Sequence, residues 1–493
     1  MEKDERTPHG DTNLLPSELN VPYGAAVTAP EAPETYLSDA DAAENSLFVS
    51  RLTKLALPIA LQSFLSAAVS CADVLVLSTV NASALSAVSL AGQIVFVLTL
   101  FYMGISTGLT ILGAQYWGKR DTVTIEKLLA LTLKLSMGVS FVFFAAMLLF
   151  PVALMHLFSP DETVVAYGVP YLRIVSVSCL AMGVSQMLLS TMKCMEQPRI
   201  SALIGTGCLI ANILLNMLAV FVLFPNNPEL CIVGVAGATT LSRLGEVLFS
   251  FLWMRRKSGL HAAKALRKRT EPWLMKDFRS YTLKVQANFL IWGGALTAMS
   301  AIMGHVGTEM VSAYAVANSA KNLSIAACNG FAAGGGILLG TQMGAGRLAL
   351  AHHTGRKLFG GSLLLGAGAG VVVLLLRPLC LRLAQLPPTA SLLLDQMLVV
   401  CALYCIGESF NATLVSGVFC AGGDTRFGLL CDTIALWGVI LPLGYLCAFV
   451  WKLPPLTVFI VLSLNEVIKM PFVALHFRKG KWLKNLTRKT TEG

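Results

Sequence analysis

Apolar runs of roughly 20 residues, separated by short polar breaks, recur twelve times between residues 52 and 476. A run of that length crosses the hydrocarbon of a bilayer as a helix, the conformation that bonds all its backbone groups internally. The pattern predicts spans over residues 52–78, 85–113, 128–154, 164–192, 199–224, 232–255, 284–304, 311–342, 357–380, 392–420, 427–450 and 456–476. Residues 1–50 depart from it: they are Pro-rich and Ala-rich, lack an apolar run and carry ten Asp or Glu against Lys3 and Arg6, so they read as a disordered acidic cytoplasmic tail. The longest interior break, residues 256–283, holds Arg256, Lys257, Lys264, Arg267, Lys268 and Arg269 and reads as a basic cytoplasmic linker. Residues 479–493 form a second, basic cytoplasmic tail. The chain thus divides into an N-lobe over 51–255 (spans 1–6) and a C-lobe over 284–478 (spans 7–12), an all-α polytopic membrane protein of twelve transmembrane helices.

The two lobes repeat one another at an offset of 226 residues. Gly104, Gly108 and Gly118 face Gly330, Gly334 and Gly344, and Ser86, Ala87 and Ala91 face Ser312, Ala313 and Ala317. Because six spans return the chain to its starting side, the lobes are expected to be pseudo-symmetric about an axis along the membrane normal, with a substrate cavity on that axis. Such duplication is the usual construction of a secondary transporter. The glycine pairs, four residues apart, read as places where helices approach closely.

Composition narrows the class. Of 493 residues 55% are hydrophobic and 13% charged, where soluble proteins carry about 25% charged, which excludes a soluble enzyme. No Asp-rich metal motif and no Cys/His cluster occurs, so no enzyme activity, cofactor or firm metal site is expected. Lys and Arg gather in alternate loops, at Lys119 and Arg120, Lys193 and Arg199, the linker, Arg347 and Arg356, and the C-terminal tail. That asymmetry predicts both termini on the cytoplasmic side. The positive excess orients spans in a lipid bilayer and does not imply nucleic acid.

Few acids lie inside spans, and each needs partners, a proton or water there. Asp73, late in span 1 among Ala72, Val74 and Leu75, is the first candidate for a cation-coupling residue. Asn212 and Asn216 of span 5, four apart and so on one helical face, offer carboxamides to Asp73 or to a sodium ion. Pro58 frees a carbonyl and lets span 1 bend, a candidate hinge. Glu408 and Asp432 are candidates for a second titratable group or a substrate counter-charge; Asn288 and Trp292 of span 7 and Gln62 of span 1 complete the candidate substrate-binding set. Arg243 with Glu246, and Glu466 with Lys469, are spaced to pair on one helix face, whereas Lys134 and Lys321 have no evident partner in sequence.

Leu57-Pro58 followed by Asp73, the Gly104-Ile-Ser-Thr-Gly108 run, Gln115-Tyr-Trp-Gly118, Tyr171-Leu172, Asn212-Ile-Leu-Leu-Asn216, Gly422-Gly-Asp-Thr-Arg426, and Asp432 with Trp437 together resemble the multidrug and toxic compound extrusion (MATE) family over about residues 51–478. The resemblance implies a V-shaped pair of six-helix bundles opening alternately to either side of the plasma membrane. It implies export of organic cations or amphipathic drugs in exchange for protons, the favoured coupling ion, or sodium, by a monomer. A lipid-linked oligosaccharide or precursor flippase of the same superfamily is the alternative. The positions matching Asn212, Asn216 and Tyr171 lie beside the first-span aspartate in the family, and bending at the proline accompanies protonation. Two departures bear on this: some members have aspartate where this chain has Asn216, and many with a C-lobe cation site have glutamate near Phe289.

Overall fold

Among the residues that the computed structural model describes, 39–78, 82–225, 227–257, 271–384 and 386–488, every regular element is helical. Twelve helices are long and apolar enough to span a membrane. They are α1 (Asp39–Ser78), α2 (Ala82–Gly118), α3 (Thr122–Leu149), α4 (Glu162–Cys194), α5 (Pro198–Leu223), α6 (Pro228–Lys257), α7 (Pro272–Val306), α8 (Thr308–Gly344), α9 (Leu348–Leu383), α10 (Pro388–Phe419), α11 (Thr425–Val450) and α12 (Pro455–Arg478). Their starts follow local chemistry. Pro198, Pro272, Pro388 and Pro455 open helices where the missing N–H costs nothing. Asp121 and Asp161 cap α3 and α4 by accepting from the amides of Thr124 and Thr163, each at 2.9 Å.

Three boundaries differ from the sequence expectation. Helix α1 begins at Asp39, inside the segment assigned to the disordered tail, because Ala40, Ala42 and Ala43 favour helix and Phe48 packs against the C-lobe core. Residues 1–38 of that tail lie outside the described residues, as do 258–270 of the linker. Of the remainder, 256–257 end α6, Glu271 is extended, and 272–283 are already helical, since Pro272 opens α7. The basic tail, as far as Arg488, is folded against the protein: Trp482 is fully buried and stacks on Phe477 at 5.4 Å.

Four apolar cores show how the lobes join. Toward the end remote from the termini, one core is drawn wholly from α2–α6 and the other wholly from α7–α12. Toward the end where α1 begins and α12 finishes, the cores are shared: Leu274 and Phe278 of α7 enter the N-lobe core, and Leu52, Leu55 and Ile59 of α1 enter the C-lobe core. Glycines make that exchange possible. A Cβ at Gly104 would stand 2.1 Å from Gln286 Oε1, and one at Gly330 would stand 2.5 Å from the Ala60 Cβ. Gly108 meets Thr282 as Gly334 meets Ala56, and Gly118 meets the Thr341 carbonyl as Gly344 meets that of Gln115. Adding 226 to the N-lobe member of one pair and subtracting 226 from its C-lobe member gives the other pair, so the duplication seen in sequence is a twofold relation of the contacts between the lobes.

Candidate functional site

In the N-lobe the carboxamides sit at the seam of α5 and α6. Asn216 Nδ2 donates to Asn212 Oδ1 at 3.4 Å, and Asn212 Nδ2 to Thr239 Oγ1 at 3.4 Å. Asn216 is buried and Asn212 half-buried, as one face of α5 requires. Tyr171 is buried in the N-lobe core with Leu172, Val175 and Val235. Asp73 falls within α1, but its side chain lies outside the described residues. Pro58 lies between Ala56 and Ala60, the α1 positions that pack on Gly334 and Gly330 of the other lobe. It also lines an open cleft of about 340 Å³ with Lys54 and Arg199.

A polar cluster of which sequence spacing shows only the Arg243–Glu246 pair lies between helices of the N-lobe. Glu246 of α6 is 4% exposed and accepts from Arg243 Nη1 and from Ser185 Oγ of α4, both at 2.9 Å. Gln62 reaches the same place from α1 across a notch in α5. A Cβ at Gly205 would stand 2.3 Å from Gln62 Nε2 and 3.8 Å from Glu246 Oε1.

The C-lobe holds a larger network. Lys469 Nζ of α12 lies 2.7 Å from Glu466 Oε1 and 3.0 Å from Asp432 Oδ1 of α11. Asn288 Nδ2 donates to Asp432 Oδ2 at 3.0 Å, Asn411 Nδ2 to Glu466 Oε2 at 2.8 Å, and Asn465 Nδ2 to Glu466 Oε1 at 3.0 Å. Asn411 and Asp432 each immediately precede a π-helical stretch, 412–419 and 433–440, a widening of the helix that recurs at functional sites. Lys321 has a partner after all: its amine lies 3.9 Å from Glu408 Oε2 and 4.5 Å from the Tyr404 ring centre. Trp292 is half-buried against the C-lobe core rather than joined to this network, while Trp437 of α11 donates to the Ile291 carbonyl at 3.1 Å. The structure thus joins Asn288 to Asp432, places Glu408 next to the same cluster, and puts Gln62 in the other lobe.

Sequence spacing found the pairs within α6 and α12, since residues three apart share a face. It placed Asn411 on the face of Glu408 but missed Ser185, the Asn411–Glu466 bond and the Lys469–Asp432 link, which cross between helices. The signal available was the 226-residue repeat, which carries Ser185 onto Asn411 and Gln62 onto Asn288.

Twelve spanning helices in two pseudo-symmetric lobes, with a carboxylate paired to a cation and carboxamides inside each, define a polytopic membrane protein built on a duplicated six-helix unit. The MatE family model matches residues 58–218 and 287–446, one stretch in each lobe, and the chain belongs to the MATE family, whose members are transporters. It is similar to the probable multidrug resistance protein NorM of Rhizobium meliloti (strain 1021), 24% identical over 404 residues covering 78% of this chain and 83% of that one. It is likewise similar to the uncharacterized transporter YisQ of Bacillus subtilis (strain 168), 22% identical over 386 residues covering 76% of this chain and 82% of that one. Among solved structures it resembles an outward-facing multidrug resistance MATE family transporter of the MOP superfamily, with a TM-score of 0.79 at 17% identity, over 87% of this chain and 95% of that one. At that identity the likeness establishes the fold. The flippase alternative gains no support from these likenesses.

Proposed function

We propose that the protein exports organic cations or amphipathic drugs across the plasma membrane in exchange for protons, with sodium as the second possibility for the coupling ion. The observation that carries this reading is the asymmetry of the lobe contacts: shared cores and glycine seams close one end, the end where basic loops gather, while the cores of the opposite end belong to one lobe each. A carrier resting in that form presents its cavity to the side away from the basic loops, the side of release. The printed name of the Rhizobium relative, a probable multidrug resistance protein, agrees with such a substrate class.

Exchange requires a ligand that binds the two forms differently. We assign that role to Asp73, supported by Asn212, Asn216 and Tyr171 of the same lobe and by Pro58 at the α1 seam. A cation arriving from outside neutralises Asp73, α1 bends where its packing on Gly330 and Gly334 is closest, and substrate is released; return of the cation to the cytoplasm resets the carrier. Asn212 and Asp73 are also the side chains that would hold sodium if sodium is the coupling ion. The test is pH-driven efflux of a fluorescent organic cation by Asp73→Asn at matched expression, where loss of at least about tenfold in rate is expected, the size of a removed interaction of roughly 1.4 kcal/mol. Undiminished efflux would refute the assignment. Counterflow in liposomes under separately imposed pH and sodium gradients decides between the two ions.

A further inference from the structure

The polar clusters of the two lobes are made from corresponding parts. The first helix of each lobe gives a carboxamide, Gln62 or Asn288; the fourth gives a donor to the buried glutamate, Ser185 or Asn411; the sixth gives that glutamate and, three residues away, a cation, Arg243 or Lys469. The offset of 226 that relates the lobe seams also carries Gln62 onto Asn288, Ser185 onto Asn411 and Arg243 onto Lys469. The glutamates do not follow it: Glu246 lies one turn after its cation and Glu466 one turn before. What the duplication keeps in place is a positive charge surrounded by polar groups.

In the C-lobe the surroundings are those of a hard-cation site. Lys469 is 5% exposed, and its ammonium contacts one oxygen each of Asp432 and Glu466. The Oδ1 atoms of Asn288, Asn411 and Asn465 in the same network are buried with no hydrogen-bond partner among the described residues. Carboxylate and carboxamide oxygens are the ligands that hard cations take. From these observations we propose that Lys469 is a tethered internal cation, occupying a C-lobe oxygen cage that binds an alkali cation once the amine is removed.

A covalently held ammonium cannot leave with a concentration gradient, so Lys469 fixes the charge of this lobe whatever the ionic conditions, and it determines that Asp432 and Glu466 are not an exchangeable ion site. The two oxygens stand at 3.0 and 2.7 Å from Nζ; a hard cation of calcium's size sits about 2.3–2.6 Å from its oxygens, so small inward shifts close the vacated cage. The inference concerns binding and does not depend on the antiport reading.

The test is thermal unfolding of the purified full-length protein in detergent, in sodium chloride against choline chloride at equal ionic strength. Asp73→Asn serves as the background, which removes any N-lobe sodium site from the comparison. The parent and Lys469→Arg are expected to unfold at the same temperature in both salts. Lys469→Ala is expected to gain a saturable sodium-dependent rise of about 2–4 °C, lost again when Asp432→Asn is added. Should Lys469→Ala fail to yield folded protein, Lys469→Ala/Glu466→Gln keeps the original net charge and carries the same expectation through Asp432. Absence of a sodium effect in whichever of the two folds overturns the proposal. So does a sodium effect in the parent that Asp432→Asn abolishes, because the cage would then already exchange cations with Lys469 present. Neither result bears on Asp73, whose role is read from efflux.

Discussion

A single hydrogen can decide whether the two lobes close. Gly344 faces the Gln115 carbonyl so closely that a Cβ there would stand 1.9 Å from the oxygen, and the neighbour is backbone, which has no rotamer to escape into. Relief requires moving α8 away from α2. Because this is a seam between lobes, Gly344→Ala is expected to oppose closure while leaving each lobe folded. Overpacking costs typically about 1–3 kcal/mol, enough to cut efflux roughly tenfold in a cellular assay at unchanged yield of folded protein. Gly368→Ala is the control, since a Cβ there meets nothing within 4 Å in the middle of α9; it is expected to retain efflux and, on helix propensity, to gain up to about 1 kcal/mol in stability. Equal efflux from the two variants would contradict this account of the seam. The sequence already marked Gly344 through its repeat at Gly118, but the repeat cannot say which partner a glycine meets. That the partner is the other lobe became visible only in three dimensions.

At the level of helices, the reading from sequence succeeded where the physics is local and stopped where it is not. Twelve spans followed from run length, and the Glu466–Lys469 and Arg243–Glu246 pairs from their spacing. The early start of α1 escaped because alanines before a span carry no hydropathy signal, only helix propensity. Lys321 looked unpaired because Glu408 is on another helix, 87 positions further along the chain, and the repeat places an apolar valine, Val95, opposite Lys321. One connection between elements has a pH dependence that can be signed. Lys127 of α3 donates to Glu271, which also accepts from the Trp273 indole at the start of α7, and the Lys127 bond, then the indole bond, hold the Glu271 carboxyl below its ordinary value. A depressed carboxylate adds stability that is fully present above the ordinary glutamate range and is lost as pH falls through the lowered value. Unfolding temperatures of the parent and Glu271→Gln are therefore expected to differ at neutral pH and to converge on acidification below that range. The difference will be small, because the pair is exposed to solvent. A gap that widens in acid would reverse the assigned sign.

For the molecule as a whole, the proposed exchange cycle requires giving up the contacts that join the lobes at the end where α1 begins, and those contacts include a part no span predicted. Gln115 of α2 is fully buried; its Nε2 donates to the carbonyls of Ala421 at 2.7 Å and Lys484 at 3.1 Å, and its Oε1 accepts from the Leu486 amide at 2.6 Å. Lys119 adds a bond to the Arg488 carbonyl at 2.7 Å, and Arg488 turns back to Asp277 of α7 at 2.8 Å. The folded C-terminal segment is thereby bonded to both lobes, and opening this end must break the Gln115 set together. A neutral hydrogen bond contributes on the order of 1 kcal/mol net, while an orphaned buried partner costs about 1–3 kcal/mol. Gln115→Leu keeps the volume and removes all three bonds, so it is expected to favour opening by a few kcal/mol without touching the separate cores at the far end. Hydrogen–deuterium exchange by mass spectrometry reads this directly: peptides covering residues 112–120 and 481–488 should exchange faster in the variant, while those of the C-lobe core around Met397 and Leu398 keep their parental rate. Uniform acceleration would mean general destabilisation, and unchanged exchange at 112–120 would mean that the segment does not hold the lobes together.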